Sequence, residues 1–199
     1  MEARDNPFTS NRLQNLRYRL TGGTWEGLLK KLGDMNYRVA ITGPHGSGKT
    51  TLLWELERRL GDIGFSTKKL FLNRKQRSFE KGFIKNFFDE LLESDIIFFD
   101  GADLMRQLPW RRFKQSASMA AGLIVTAHRI PLLPVLVECS TSQQLFRDIV
   151  RELIGEDARK LRFTVDVLYK KHGGNLRKGL RELYSIYASR DGLSDLKIE

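Results

Sequence analysis

Residues 43 to 50 read Gly-Pro-His-Gly-Ser-Gly-Lys-Thr and put glycines, a lysine and a hydroxyl into one short span. Glycine admits backbone conformations that turn successive N–H groups inward, and a ring of such amides at the start of a helix attracts anions. Gly43, Pro44, His45, Gly46, Ser47 and Gly48 form that ring, with His45 an incidental member rather than a catalytic one. From Lys49 an ammonium reaches the outer oxygens of a polyphosphate, the Thr50 hydroxyl can ligate Mg2+, and Thr51 extends the polar helix start. A metal held by one hydroxyl needs a carboxylate from elsewhere. Asp100, closing the apolar run "DIIFFD" at 95–100, supplies it, so Thr50 and Asp100 are the expected metal ligands.

These groups need elements that hold them at one edge. "NYRVAIT" (36–42) reads as a short buried strand and "KTTLLWELERRLGDIG" as the following helix, its Leu52, Leu53, Leu56 and Leu60 on one side and Gly61 or Gly64 at its end. "TKKLFLN" is a second strand. Ser78 is expected to cap a helix reaching Leu92, with Phe79, Phe83, Phe87 and Leu91 facing the core. "DIIFFD" is apolar without alternation, the pattern of a central parallel strand covered on both faces. "PWRRFKQSASMAA" reads as a helix with Pro109 in its first turn, and "GLIVTAH" and "PVLVEC" as two further strands. Thr141 and Gln144 form a capping-box pattern ahead of a helix carrying Leu145, Phe146, Ile149, Val150 and Leu153.

After Gly155 the strands stop. Two helices divided at Gly173-Gly174 follow, the second aligning Leu176, Leu180, Leu183, Tyr184 and Tyr187. The expected fold is α/β: a five-stranded, mostly parallel sheet flanked by helices, with a small C-terminal helical appendage. The segments are an N-terminal stretch 1–35, a core 36–154, the helical part 155–190 and a tail 191–199.

Composition narrows the setting. An apolar fraction of 41% over 199 residues argues against disorder, and the single cysteine, Cys139, leaves no internal disulfide. The charged N-terminus has no signal-peptide core, and the apolar stretch 122–139 is cut by His128, Arg129, Pro131 and Pro134, so no bilayer span is expected and the default location is the cytoplasm. The net charge of +10 draws phosphates, nucleic acid or an acidic protein surface. Lys68, Lys69, Arg74, Lys75, Arg77, Lys81 and Lys85 lie together without an evident exposed aromatic between them, so a solvated basic face and a nucleic-acid contact remain open.

The loop "GPHGSGKT" and the strand-end Asp100 together resemble the Walker A and Walker B motifs of the P-loop NTPases. "GLIVTAHR" extends the resemblance to the additional-strand class, which holds the AAA+, ABC and RecA-like ATPases, and the layout is similar to small bacterial AAA-type ATPases with an Asn-Pro-Phe near the start. The resemblance implies ATP and Mg2+ as ligands. It gives Thr126 a γ-phosphate-sensing role with His128 as neighbour, and gives Arg177, with Arg181 as rival, the place of the lid arginine that turns toward the nucleotide; a strand-end polar group and plain helix-surface charge are the other readings of these residues. It also implies adenine-side contacts from Phe8 or its backbone, against ordinary packing, and admits oligomerisation, with Arg111, Arg112 and Arg129 as arginines offered to a neighbouring subunit, against solvated surface, the favoured reading of each. One departure stands out: where AAA+ enzymes carry Glu after the Walker B Asp, this chain has Gly101, leaving Asp103 as the candidate base. Three functions follow: a Mg-dependent ATPase that couples nucleotide state to a helical lid or partner, a P-loop kinase for a small molecule using Arg106, Arg111 and Arg112, or a nucleotide-binding regulator without turnover. No Asn-Lys-x-Asp guanine motif is present, so adenine is the expected base.

Overall fold

In the run Asp95–Asp100, Ile96 and Phe98 enter one hydrophobic core, while Ile97 and Phe99 enter another. Period-two alternation on a strand covered on both sides makes the run apolar throughout. The computed structural model describes residues 6–128, 132–159 and 161–189, without the side chains of 156 and 157. In chain order the elements are α1 (Ser10–Gln14), α2 (Trp25–Asp34), β1 (Arg38–Thr42), α3 (Lys49–Asp62), β2 (Ser66–Phe71), α4 (Phe83–Asp89), β3 (Asp95–Asp100), α5 (Gln107–Ser116), β4 (Gly122–Ala127), β5 (Val135–Glu138), α6 (Gln143–Ile154), α7 (Arg162–Lys171) and α8 (Leu176–Ser189), with a 3₁₀ turn at Ala102–Leu104.

Contacts divide the chain into two units. The first, residues 18–43 and 48–139, holds the sheet. Its five strands are all parallel in the order β2-β3-β4-β1-β5, so β4 stands between the strand that leads into the loop and the strand that ends in Asp100. One face packs Leu52, Leu56 and Leu60 of α3 and Leu32 of α2 against Val39, Ile41 and Ile124; the other packs Trp110 and Phe113 of α5 against Phe99, Leu123 and Val125. The expected five-stranded α/β sheet is present, with every pairing parallel.

The second unit, residues 6–17, 44–47 and 140–189, is helical. Phe146, Val150, Val165, Leu168, Leu176, Leu180 and Leu183 form its core, and α7 and α8 are separated at Gly173-Gly174 as expected. Arg147 grips Asp166 with two nitrogens, which holds that carboxyl below the usual carboxylate range.

Several boundaries differ from the sequence expectation. β1 starts at Arg38, because Asn36 (φ 52°) and Tyr37 (φ 53°) take left-handed conformations that close α2, with Tyr37 N–H donating to Leu32 O. The helix expected from Ser78 begins only at Phe83, behind Gly82 at φ 87°, and ends at Asp89. Phe83 is not a core residue: it is 46% exposed and stacks on Phe79. Phe71, 56% exposed, likewise stands near Lys75, Arg77, Lys81 and Lys85 in sequence, so the basic segment does carry exposed aromatics. The cap of α6 is Ser142, which accepts from Leu145 N–H, while Thr141 donates to Gly174 O. The helix α2 was not anticipated. The expected tail 191–199 lies outside the described residues, among which no helix is long and apolar enough to cross a membrane.

Candidate functional site

Strand β1 delivers the chain to Gly43, and α3 takes it up at Lys49 with Gly48 (φ 89°) as its N-cap. Gly48 has no side chain with which to cap this helix. The first intrahelical bond runs from Leu52 N–H to Gly48 O, so the amides of the opening turn have no partner within α3 and carry the positive end of the helix dipole. Lys49 is 7% exposed, and its Nζ donates to Gly43 O at 2.7 Å. Fourteen residues of helix thus start with a buried cation folded back over the strand end.

Asp100 ends β3 on the same sheet face as α3, because Ile96 and Phe98 before it alternate onto that face. Thr50 Oγ1 donates to Asp100 Oδ2 at 2.8 Å. The other oxygen, Oδ1, accepts from Thr126 Oγ1 at 2.5 Å, and Thr126 in turn accepts from Gly101 N–H at 2.8 Å. Thr126 is 1% exposed. Its single proton is committed to the carboxylate, so in this arrangement it positions Asp100 and the chain behind it. Thr126→Val keeps the shape but strands both partners. It is expected to lower the unfolding free energy by about 1–3 kcal/mol; an unchanged urea midpoint would show that the bonds contribute nothing.

Asp103 occupies the 3₁₀ turn after Gly101. Its Oδ2 accepts from the backbone N–H of His128 and lies 2.9 Å from His128 Nδ1, while its Oδ1 is buried with no partner among the described residues. This pairing joins the tips of adjacent strands over a gap of 25 residues and left no signature in the local sequence. Gly101 has φ 80°, and a Cβ there would stand 2.3 Å from Leu72 O. No side chain fits at this position without moving backbone.

Tyr18 also reaches the loop, a contact that sequence reasoning missed. A Cβ on Gly48 would meet its ring at 3.3 Å, and its hydroxyl donates to Cys139 Sγ at 3.4 Å. Burial pushes the Cys139 thiol up, opposed in part by Tyr18 and by the charge of Lys49. Being 1% exposed with little thiolate at neutral pH, Cys139 is expected to react with a thiol reagent on the order of tenfold or more slowly in the folded than in the unfolded protein. Equal rates, followed by absorbance, would contradict that environment.

Loop residues 44–47 group with the helical unit. Ser47 N–H closes a turn onto Pro44 O, and the chain passes so near Asn175 that a Cβ on Gly46 would lie 2.2 Å from its Oδ1. Ser47 is 4% exposed, yet its Oγ has no partner among the described residues. His45 is exposed. Arg177 is exposed on α8, with its backbone N 3.2 Å from the same Gly46 position, and Arg181 is exposed one turn on. Phe8 is 2% exposed, packed edge-on to Tyr187 in the helical core, which is the packing alternative for that residue. Arg106, Arg111 and Arg112 are exposed at or on α5; Arg129 lies outside the described residues. Thr51 is half-buried in the first turn of α3.

The donor set suits Mg2+. A hydroxyl and a carboxylate already within hydrogen-bond distance can share one hard cation, and no group of three or more His, Cys, Asp or Glu side chains among the described residues offers an all-protein cage. Mg2+ ordinarily completes its shell with water and substrate phosphate. The amides that open α3, behind the glycine N-cap, are polar groups fit for an anion.

No protein-family model matches the chain, and no curated protein matches it by sequence. Solved structures do match. Two variants of RuvB from Thermotoga maritima superpose with TM-scores of 0.53 at 13% and 14% identity, covering 86% and 85% of this chain. The chain spans 66% of the length of each. A third match is AMPPCP-bound DnaA from Aquifex aeolicus, with a TM-score of 0.49 at 15% identity, covering 87% of this chain and 68% of that one.

Proposed function

We propose that this chain, which has the P-loop NTPase fold of the additional-strand type, binds Mg-ATP at residues 43–50 and hydrolyses it. One observation carries the reading: the Thr50 hydroxyl and the Asp100 carboxylate meet at 2.8 Å beside the buried Lys49, where a triphosphate on the α3 amides would end. In this reading the amides of the first turn of α3 bind the phosphate oxygens, and Lys49 leaves Gly43 O to bridge the outer two phosphates. Thr50 and Asp100 would hold Mg2+, which when bound supplies positive charge to the phosphates. Thr126 keeps Asp100 oriented through the bond to its far oxygen. Arg177, exposed on α8, is the lid arginine of this proposal, and movement of the helical segment is its mechanical output.

Gly101 favours a second reading, nucleotide binding with little turnover, because its backbone leaves no room for a water-activating side chain directly after Asp100. A partner also fits. Phe71 and Phe83, exposed and near exposed lysines and arginines in sequence, have the stacking-plus-charge chemistry of single-stranded nucleic acid.

The test is calorimetric titration with ATP, with and without Mg2+, followed by phosphate release in the presence and absence of single-stranded DNA. Mg-dependent binding with phosphate release and no added acceptor supports the ATPase. Binding without release supports the second reading, consumption only with a small-molecule acceptor a kinase, and absence of binding overturns the proposal.

A further inference from the structure

We propose that Tyr18 is a positioning residue for the phosphate loop: its ring and hydroxyl join the two ends of residues 43–48 and hold them in the shape that receives a triphosphate. This rests on the reading of residues 43–50 as a Mg-ATP site. Three contacts lead to it, all within the unit that holds the sheet. Where the loop ends, the Tyr18 ring edge lies so close to Gly48 that a Cβ there would be 3.3 Å from Cε2 and 3.5 Å from Cδ2. Where the loop begins, the Tyr18 hydroxyl donates to Cys139 Sγ at 3.4 Å. Cys139 N–H in turn donates at 2.7 Å to O of Thr42, the residue before Gly43.

Tyr18 is itself held from behind. Its ring meets Trp25 edge-on at 6.5 Å between centroids, and the Arg59 guanidinium lies 4.2 Å over the Trp25 ring. Trp25 opens α2, whose N-cap Thr24 accepts from Gly27 N–H, and Arg59 belongs to the last turn of α3. The segment entering α2 is therefore tied to the first turn of α3 through Tyr18 and to its last turn through Trp25. Burial, with the contact to Cys139, pushes the Tyr18 hydroxyl well above its ordinary range, so it remains a donor at neutral pH.

A clamp at this place bears on affinity. Glycine loses more conformational freedom on ordering than any other residue, and Gly43 and Gly48 both take positive φ, at 141° and 89°. A loop that froze only on meeting its ligand would subtract that entropy from binding, whereas contacts that fix it beforehand remove the cost. Of the two ends of Tyr18, the ring carries most of the effect: it packs directly on the glycine N-cap, while the hydroxyl bonds only to a thiol, a weak acceptor.

The experiment measures affinities for ATP and for inorganic triphosphate, each with Mg2+, by titration calorimetry. Tyr18→Leu is expected to weaken both by about tenfold or more and to the same extent, because the loop would grip the phosphate chain that the two ligands share. Tyr18→Phe, which keeps the ring, is expected to stay within about threefold of wild type. Phe113→Leu, in the core on the other face of the sheet, controls for general destabilisation: its thermal midpoint is expected to fall with both affinities unchanged. In nucleotide-free wild-type protein, nuclear Overhauser contacts between the Tyr18 ring protons and the Gly48 α-protons are expected, and they are expected to persist with Mg-ATP bound. A loss confined to ATP, which would make Tyr18 a contact for the base, overturns the proposal. So do an equal loss in Phe113→Leu, a loss in Tyr18→Phe as large as in Tyr18→Leu, or Overhauser contacts that are absent or vanish on binding. Thermal midpoints identify a folding failure of Tyr18→Leu, in which case the Overhauser contacts decide. Wild-type protein that binds neither ligand would remove the loop reading and this inference with it, whereas binding that is indifferent to Tyr18→Leu removes this inference alone.

Discussion

Lys49→Ala is expected to weaken Mg-ATP binding by at least about 100-fold and to abolish phosphate release, with the fold retained. The ammonium is buried at the head of α3 and donates to Gly43 O, so it already lies at the start of the loop. A hydrogen bond to a charged group is worth roughly 1.5–3 kcal/mol. Loss of one or two such contacts to phosphate, at 1.4 kcal/mol per tenfold, gives on the order of 100-fold. The remaining grip comes from the amides that open α3, which the substitution leaves in place. Titration calorimetry reads the affinity and circular dichroism the fold. Wild-type affinity in a folded variant would mean that the triphosphate does not lie where the α3 amides point.

Gly101→Glu is the second large effect, and it runs against the intuition that restoring a missing glutamate restores activity. The added Cβ would stand 2.3 Å from Leu72 O, at a backbone φ of 80° that side chains rarely adopt. Leu72 cannot readily retreat, because its own N–H donates to Asp100 O at 2.9 Å, in register with the pairing of β2 and β3. Yielding at either residue disturbs the strand end that carries Asp100. A loss of about 3 kcal/mol or more in unfolding free energy is therefore expected, by backbone strain and overpacking together, with no gain in phosphate release. Urea unfolding and a phosphate assay check both halves. A variant with a normal midpoint and faster turnover would show that this segment rearranges freely.

The parts of the fold visible in the sequence were those set by burial. Ile96 to Phe99 had to be a strand covered on two faces, and Leu52, Leu56 and Leu60 had to face the sheet from a helix, because side-chain periodicity follows directly from which surfaces exclude water. Asp100 and Thr50 could be paired in advance because each closes or opens an element at the same sheet edge. What was hidden depended on backbone handedness or on contacts distant along the chain. Asn36 and Tyr37 look like strand residues but adopt positive φ, and Gly82 rather than Ser78 opens α4. Thr141 and Ser142 are both competent caps, and the choice fell to Ser142 once Thr141 was drawn to Gly174. The pairing of Asp103 with His128, and the contact of Tyr18 with Gly48, need the strand order before they can be imagined.

The strand order bears on how the molecule is made. β1 ends at Thr42, yet its two neighbours are formed by residues 122–127 and 135–138. During synthesis a ribosome must therefore deliver the whole stretch up to β5 before the strand feeding Gly43 is flanked on both sides. Such distant pairings make for slow assembly, and nucleotide can reward only the finished product, by mass action on the native state. A nascent chain halted before residue 122 would carry the full glycine-lysine-threonine segment with no floor beneath it.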